Sequence, residues 1–171
     1  MGGRQWYQRP NLPPSIVKET LCLYPPSPLS IPHESMEDCH VCGYYVPKGS
    51  HVFVNVWKLH RDLRIWDDLD KFFPERFLTK HANENIDVSR QHFEFVPFRS
   101  SRRSCPGYTF GLQVSHLTLA QLLQGFEFTT PLNMPIDMTE GLSITLPKAT
   151  PLEVLLNLRL ASELYQWQTE I

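Results

Sequence analysis

The stretch Pro97-Phe98-Arg99-Ser100-Ser101-Arg102-Arg103-Ser104-Cys105-Pro106-Gly107 sets one cysteine between a run of arginines and a helical pattern. A thiol at a helix N-terminus beside guanidinium groups has its thiolate form stabilised by the helix dipole and the cations. A thiolate is a metal ligand, and as an axial ligand of haem iron it favours O–O cleavage. Gly107 would let the backbone approach a flat cofactor, because it has no Cβ. The stretch therefore predicts a metal ligand at Cys105.

The composition bounds the class of protein. The chain has 171 residues and 42% hydrophobic residues, which suits one globular domain. Its net charge of −2 gives no excess of basic residues for binding nucleic acid. Four cysteines do not suggest a secreted disulfide framework. No apolar run approaches the ~20 residues that cross a bilayer. We therefore expect an intracellular chain with reduced cysteines, and the 15 prolines predict many loops.

The cysteine stretch resembles the haem-binding signature of the cytochrome P-450 monooxygenases, Phe-x-x-Gly-x-Arg-x-Cys-x-Gly. The matching positions are Phe98, Arg103, Cys105 and Gly107. Ser101 stands where the family has glycine, and Arg99 stands where close plant relatives also have glycine. The resemblance implies haem as the cofactor and Cys105 as the axial ligand of its iron. It also implies that Arg103, Phe98 and Gly107 contact the haem, with Phe98 shielding the sulfur from water.

An apolar stripe predicts a helix over about 15–24, stopped by Pro25-Pro26. It resembles the family's K helix, whose Glu-x-x-Arg pair joins an arginine further along in a buried charge network. Glu19 matches the glutamate and Arg76 the later arginine, but Cys22 stands where the family has arginine. Removing one member of such a network costs about 3–5 kcal/mol. Alternatively, Cys22 packs as a small core residue and Arg76 alone neutralises Glu19.

The two departures from the family pattern, Ser101 and Cys22, can be ranked by their expected cost in stability. A serine at a glycine position with positive φ costs about 1–2 kcal/mol, which is less than the loss of a network member. We therefore expect Cys22→Arg to restore more stability than Ser101→Gly.

The resemblance implies further contacts away from the cysteine. Leu29, Ser30 and Ile31 correspond to a segment that lines the family's substrate pocket. His33 corresponds to a histidine that donates a hydrogen bond to a haem propionate. Two residues match the family's last substrate-contacting turn: Leu142 and Ser143.

A zinc site is a further hypothesis, because Cys39-x-x-Cys42 has ligand spacing and His40, His51 and His60 are near in sequence. The runs 39–42 and 51–57 are strand-like. In a regular strand, residues 39 and 42 point to opposite faces, so we expect their side chains to diverge. Zinc is therefore the third hypothesis.

The predicted fold class is an α+β fragment of the mainly α cytochrome P-450 fold. We expect helices at about 15–24 and 107–125, small mixed sheets and long loops. Residues 1–14 are predicted to be an irregular lead-in and 15–171 the C-terminal part of the domain. A short helix is predicted over 58–68, a mobile surface loop over 81–91, and a buried position for the helix at 107–125.

Two main functional hypotheses follow from the resemblance. In the first, the chain is a haem-thiolate monooxygenase that inserts one oxygen of O2 into a small hydrophobic substrate. Its electrons would come from NADPH through a cytochrome P-450 reductase. In the second, it is an inactive fragment that does not hold haem, because the family's central O2-activating helix is not among the matched segments. The family resides on the cytosolic face of the endoplasmic reticulum; without the anchor, this chain is expected to be cytosolic.

Overall fold

The structure of the chain, a computed structural model, describes residues 12–78, 92–100 and 103–165. Within these ranges the α-helices are α1 (Leu12–Leu23), α2 (Val56–Leu59) and α3 (Tyr108–Gly125). The strands are β1 (His33–Glu34), β2 (Cys39–Val41), β3 (Tyr44–Val46), β4 (His51–Val52), β5 (Phe126–Thr129) and β6 (Leu155–Leu158). Short 3-10 turns cover Pro74–Phe77, Pro131–Asn133 and Ser162–Tyr165. This is an α+β arrangement with long irregular connections.

Helix α1 begins earlier than the sequence predicted. Residues 12–14, expected to belong to an irregular lead-in, form its first turn, and residues 1–11 lie outside the described residues. Pro13 and Pro14 are tolerated there because first-turn N–H groups have no partner within the helix. At the other end, the Tyr24 N–H still donates to the Thr20 carbonyl at 2.8 Å. The predicted stop before Pro25 is therefore confirmed to within one residue.

Each described sheet is an antiparallel pair. Strand β1 pairs with β4, β2 with β3, and β5 with β6. The prediction of mixed sheets was wrong, because each pair is a two-stranded antiparallel ribbon. The β2–β3 hairpin turns through Cys42 and Gly43, whose φ angles are 50° and 85°. Positive φ at both central residues is the signature of a type I′ turn, which matches the twist of the flanking strands. Cys42 thus lies in a turn and not in the predicted strand.

The segment 51–59 also departs from prediction. The expected strand over 51–57 ends at Val52, and helix α2 starts at Val56. Asn55 caps this helix, since its Oδ1 accepts from the Lys58 N–H at 2.8 Å. Of the helix predicted over 58–68, only residues 58 and 59 are helical, and turns follow.

The core is an aromatic cluster around one cysteine. Cys22, Trp66, Phe77 and Phe95 are buried together. The Phe77 and Phe95 rings lie 5.4 Å apart and the Trp66 and Phe77 rings 5.9 Å apart, in tilted arrangements typical of aromatic packing. Phe95 belongs to the segment that precedes the cysteine stretch, so this core fixes where that stretch begins.

Helix α3 matches the predicted bounds but not the predicted burial. It was expected to be a buried core helix, yet Gly125 is its only residue that the described structure buries. Tyr108 and Leu112 pack against the core cluster. Phe110, with 76% of its surface exposed, and Leu117, with 60%, face outward. Helix α3 therefore carries more apolar side chains than the described residues bury.

None of the helices in the described residues combines the length and the apolar character that crossing a bilayer requires.

Candidate cofactor site

The loop that carries Cys105 is closed at its base. The Cys105 N–H donates to the Phe98 carbonyl at 2.9 Å, and the Arg99 N–H donates to the Val96 carbonyl at 3.1 Å. These bonds bring residues 98 and 105 together at the base of the loop. Ser101, expected to be strained at a glycine position, lies outside the described residues, as does residue 102.

Cys105 sits just before α3 and is half-buried with a free thiol. Gly107 caps the helix with a φ of −92°, a conformation that any residue adopts. A Cβ built on Gly107 would lie 4.0 Å from the Cys105 Sγ, an ordinary contact distance. Neither backbone strain nor a clash within the protein requires glycine here. What glycine does is leave the space beside the sulfur unfilled.

A cavity of about 590 Å³ lies beside this loop, a volume within the usual range for small-molecule pockets. Its lining residues are Ser30, His33, Val54, Val56, Leu59, Phe93, Val96, Arg99, Ser100 and Arg103. Two of them are guanidinium cations and one is an imidazole, whereas none of these described lining residues is acidic. The cavity is therefore apolar on one side and cationic on the other, which suits an apolar ligand with an anionic group.

Two residues of the cavity wall have unusual backbone conformations. Ser30 has a φ of 58° and Arg99 a φ of 69°. A non-glycine residue in this left-handed region costs about 1–2 kcal/mol. Such residues cluster at ligand sites, where the surrounding structure holds them. Arg99, noted in the sequence as standing at a glycine position of plant relatives, thus has the conformation for which glycine is suited.

Arg99 also engages His33. Its Nη2 donates a hydrogen bond to the His33 Nε2. Because a guanidinium carries only donors, Nε2 must be the acceptor, and the ring proton then sits on Nδ1. The sequence implied that His33 donates to a haem propionate, but in this structure Nε2 already has a donor from the protein.

The residues predicted to line a substrate pocket are not all brought together. Ser30 is buried and lines the cavity beside His33 and Arg103. Leu29 and Ile31, its neighbours, are 52% and 59% exposed and are not among the lining residues. Two others are also exposed and outside the cavity wall: Leu142 and Ser143.

The predicted charge network is present as a buried pair of Glu19 and Arg76 with additional main-chain partners. The buried Glu19 accepts the Phe73 N–H on Oε1 at 2.9 Å. Its Oε2 lies 2.9 Å from the Arg76 Nε, in an ion pair that lacks the alignment of a hydrogen bond. The other Arg76 nitrogens donate to the backbone carbonyls of Asp67, Asp68 and Lys71. Main-chain carbonyls thus accept from the two terminal nitrogens of Arg76, whereas the Glu19 Oε2 and the Arg76 Nε have no aligned hydrogen bond. That the replacement of the family's arginine by Cys22 costs stability stays a prediction.

Cys22 itself behaves as a small core residue, the alternative that the sequence left open. Only 5% of its surface is exposed, and it belongs to the aromatic cluster. Burial, with a contribution from the Glu19 carboxylate, raises the pKa of the Cys22 thiol to about 12. The neutral thiol lies 3.9 Å from the His60 carbonyl, within reach of a weak hydrogen bond.

His60 is a positioning residue that the sequence considered only as a neighbour of a zinc site. It is 1% exposed, and its Nε2 accepts the Val96 N–H at 3.1 Å. Burial lowers the pKa of His60 to about 4, although the Cys22 and Leu21 carbonyls offset part of the shift. The neutral ring thus ties the segment before Cys105 to the core. An isolated histidine in a charged stretch gave no signal for this role.

The zinc hypothesis gains no support from the described residues. Cys39 lies in β2 with its Sγ 3.7 Å from the Ser35 Oγ, and Cys42 lies in the exposed turn. Among residues 12–78, 92–100 and 103–165, no three His, Cys, Asp or Glu side chains are grouped to hold a metal ion. That the Cys39 and Cys42 side chains diverge stays a prediction.

The groups around the loop include those that a haem requires, although Cys105 is not among the residues that line the cavity. A thiol precedes a helix, and a glycine leaves room beside it. The adjacent cavity presents Arg103 and Arg99 to an anionic group and apolar side chains to a flat ring. The donor set is thus one soft ligand for iron and two cations for carboxylates.

Comparison with known proteins places this site in a family. The cytochrome P450 family model matches residues 5–154. The chain is 60% identical over 152 residues to a vinorine hydroxylase from Rauvolfia serpentina, covering 89% of this chain and 31% of that protein. It is 54% identical over 151 residues to a nicotine N-demethylase from Nicotiana tomentosiformis, and the match covers 88% of this chain and 28% of that protein.

A third relative, a xanthotoxin 5-hydroxylase from Arabidopsis thaliana, is 52% identical over 151 residues, covering 88% of this chain and 29% of that protein. The chain spans less than a third of the length of each of these relatives. The family match covers most of the 171 residues and contains the whole cysteine stretch. This chain belongs to the cytochrome P450 family.

Proposed function

We propose that this chain supplies the haem-thiolate segment of a plant monooxygenase of secondary metabolism. Cys105 would ligate the haem iron, Gly107 would leave room for the ring, and Arg103 would bind a haem carboxylate. Phe98, whose ring lies 6.5 Å from that of Tyr108, limits access of water to the sulfur. The bound haem would activate O2 and insert one oxygen atom into an organic substrate.

The observation that carries the proposal is the closed loop itself. The hydrogen bond from Cys105 to the Phe98 carbonyl sets the thiol at one end of a loop whose other residues, Arg99, Ser100 and Arg103, line the 590 Å³ cavity. A thiolate ligand and the cations for an anionic group thus belong to one short segment, which favours a cofactor that needs both.

The proposed substrate class and electron donor rest on the names of the relatives and on what is general in the family. The relatives are named as hydroxylases and a demethylase of small organic molecules. A small hydrophobic substrate would contact Ser30 in the cavity wall, with Leu29 and Ile31 beside it and Leu142 and Ser143 in a later turn. Electrons would come from an NADPH-dependent reductase at the endoplasmic reticulum, as is general in the family.

The test is a haem titration of the purified chain. We expect that, after reduction and addition of carbon monoxide, the complex gives a thiolate-type Soret band. The band should be lost in Cys105→Ser and kept in Cys42→Ser, a matched control that removes an exposed thiol. If no such band forms, the inactive-fragment hypothesis describes this chain better. If Cys105→Ser retains the band, Cys105 is not the ligand.

A further inference from the structure

One cation of the cavity wall has an unusual backbone conformation. Arg99 lines the cavity and is half-buried. Its φ of 69° is a strained conformation for arginine. A glycine would relieve this strain, so the protein folds with an arginine here in spite of a local cost. An observed outlier of this kind in a ligand cavity points to a role for the side chain.

The direction of the Arg99 side chain is fixed by His33. The imidazole Nε2 accepts one N–H of the guanidinium, and among the described residues the remaining donors of that group have no hydrogen-bond partner. Arg103 lines the same cavity, and none of the described lining residues carries a carboxylate that would neutralise the two cations. An anion between them would interact favourably with both charges. A planar guanidinium matches the two oxygens of a carboxylate.

We infer that Arg99 is a carboxylate-binding residue of this cavity, acting together with Arg103, and that His33 positions it. Under the proposed function, the carboxylate belongs to the haem. His33 then differs from the role that the family resemblance implied, because it accepts from Arg99 and does not itself donate from Nε2.

The test uses metal-free protoporphyrin, which has the ring and both carboxylates but no iron for Cys105. Its dimethyl ester, with the carboxylates blocked, is the matched ligand. Binding to the full chain can be followed through quenching of tryptophan fluorescence. We expect the diacid to bind the unmodified chain about tenfold more tightly than the diester, the factor that one charge-assisted hydrogen bond supplies. Equal affinities would overturn the inference.

Arg99→Gly should weaken binding of the diacid about tenfold and leave binding of the diester unchanged. Its thermal midpoint should not fall, because glycine suits the positive φ. Arg99→Asn is the second variant, since asparagine tolerates the left-handed region without a charge. Arg64→Ala removes an exposed arginine outside the cavity and should bind as the unmodified chain does. If Arg99→Gly and Arg99→Asn bind the diacid normally, or weaken both ligands equally, Arg99 does not bind the carboxylate.

The positioning role of His33 has its own readout. His33→Ala should weaken diacid binding when Arg99 is present and have little effect in the Arg99→Gly chain, because a residue that acts through another has no effect without it. An equal or larger effect in the Arg99→Gly chain would mean that His33 contacts the carboxylate itself. Metal-free protoporphyrin has no iron, so the Arg99 inference can stand or fail independently of iron ligation by Cys105.

Discussion

The Nε of Arg76 lies 2.9 Å from the Oε2 of Glu19, and the two side chains are 7% and 1% exposed. This ion pair joins α1 to the 3-10 turn Pro74–Phe77, two elements that are distant in the chain. Phe77 of that turn lies in the aromatic cluster with Phe95. The pair therefore supports the same core that anchors the segment before Cys105.

Breaking this pair should be strongly destabilising. Arg76→Met leaves the Glu19 carboxylate buried without its cation, and we expect the free energy of unfolding to fall by about 3–5 kcal/mol. Urea denaturation measures it. The control is Arg64→Met, which breaks the exposed pair with Asp62 and should change stability little. Equal losses in the two variants would show that the buried pair has no special role.

Stability should fall on acidification through His60. Its pKa is lowered from 6.5 to about 4 in the folded chain, so the unfolded chain takes up the proton first. This contribution is fully present above pH 6.5 and is lost as the pH falls through about 4. The total is roughly 3 kcal/mol. Protonation also removes the acceptor of the Val96 N–H.

The measurement is the urea midpoint as a function of pH for the unmodified chain, His60→Gln and His40→Gln. His40 lies in the exposed hairpin, so its substitution should leave the pH dependence unchanged. His60→Gln should flatten the fall between pH 6.5 and 4. If it leaves the slope as it was, the acid sensitivity has another origin.

The bounds of helix α3 and the end of helix α1 were predictable because residues that typically flank helices mark them in the sequence. Gly107 precedes α3 and Pro25 follows α1, and an apolar pattern fills each helix. The prediction of a strand over 51–57 was wrong because it gave the β-branched residues of this segment more weight than Asn55. Asparagine is depleted in strands and favoured at helix N-caps, so the signal for α2 was present.

The cavity could be predicted only in part. Arg103 and His33 followed from the family pattern, and both line it. The position of Arg99 was noted, but the sequence could not reveal its contact with His33, because that contact joins residues 66 positions apart. Likewise, the acceptors of the two terminal Arg76 nitrogens are backbone carbonyls, which carry no sequence signature.

Cys22 and Cys42 should differ in their reactivity toward an alkylating reagent. The Cys22 thiol has a pKa raised to about 12 and is buried, whereas Cys42 is exposed. Because the thiolate is the nucleophile, iodoacetamide at pH 8 should label Cys42 and spare Cys22 in the folded chain. Peptide mapping by mass spectrometry reads out both sites, and labelling in urea serves as the control. Rapid labelling of Cys22 without urea would contradict its place in the core.

Cys22→Arg should destabilise the chain, opposite to the expectation from the family pattern. Cys22 packs among Trp66, Phe77 and Phe95, and Glu19 already has its cation. Overpacking a core costs about 1–3 kcal/mol, and a second buried guanidinium lacks a free partner. Cys22→Val, a neutral side chain of similar size, is the matched control and should change the urea midpoint little. A higher midpoint for Cys22→Arg would restore the original expectation.

The most direct test of the account is X-ray absorption at the iron edge of the haem-loaded chain. If Cys105 is the axial ligand, the first coordination shell of the iron contains one sulfur atom, and Cys105→Ser removes it while Cys42→Ser does not. A first shell of nitrogen and oxygen alone in the unmodified chain, or a sulfur that persists in Cys105→Ser, would contradict the central claim.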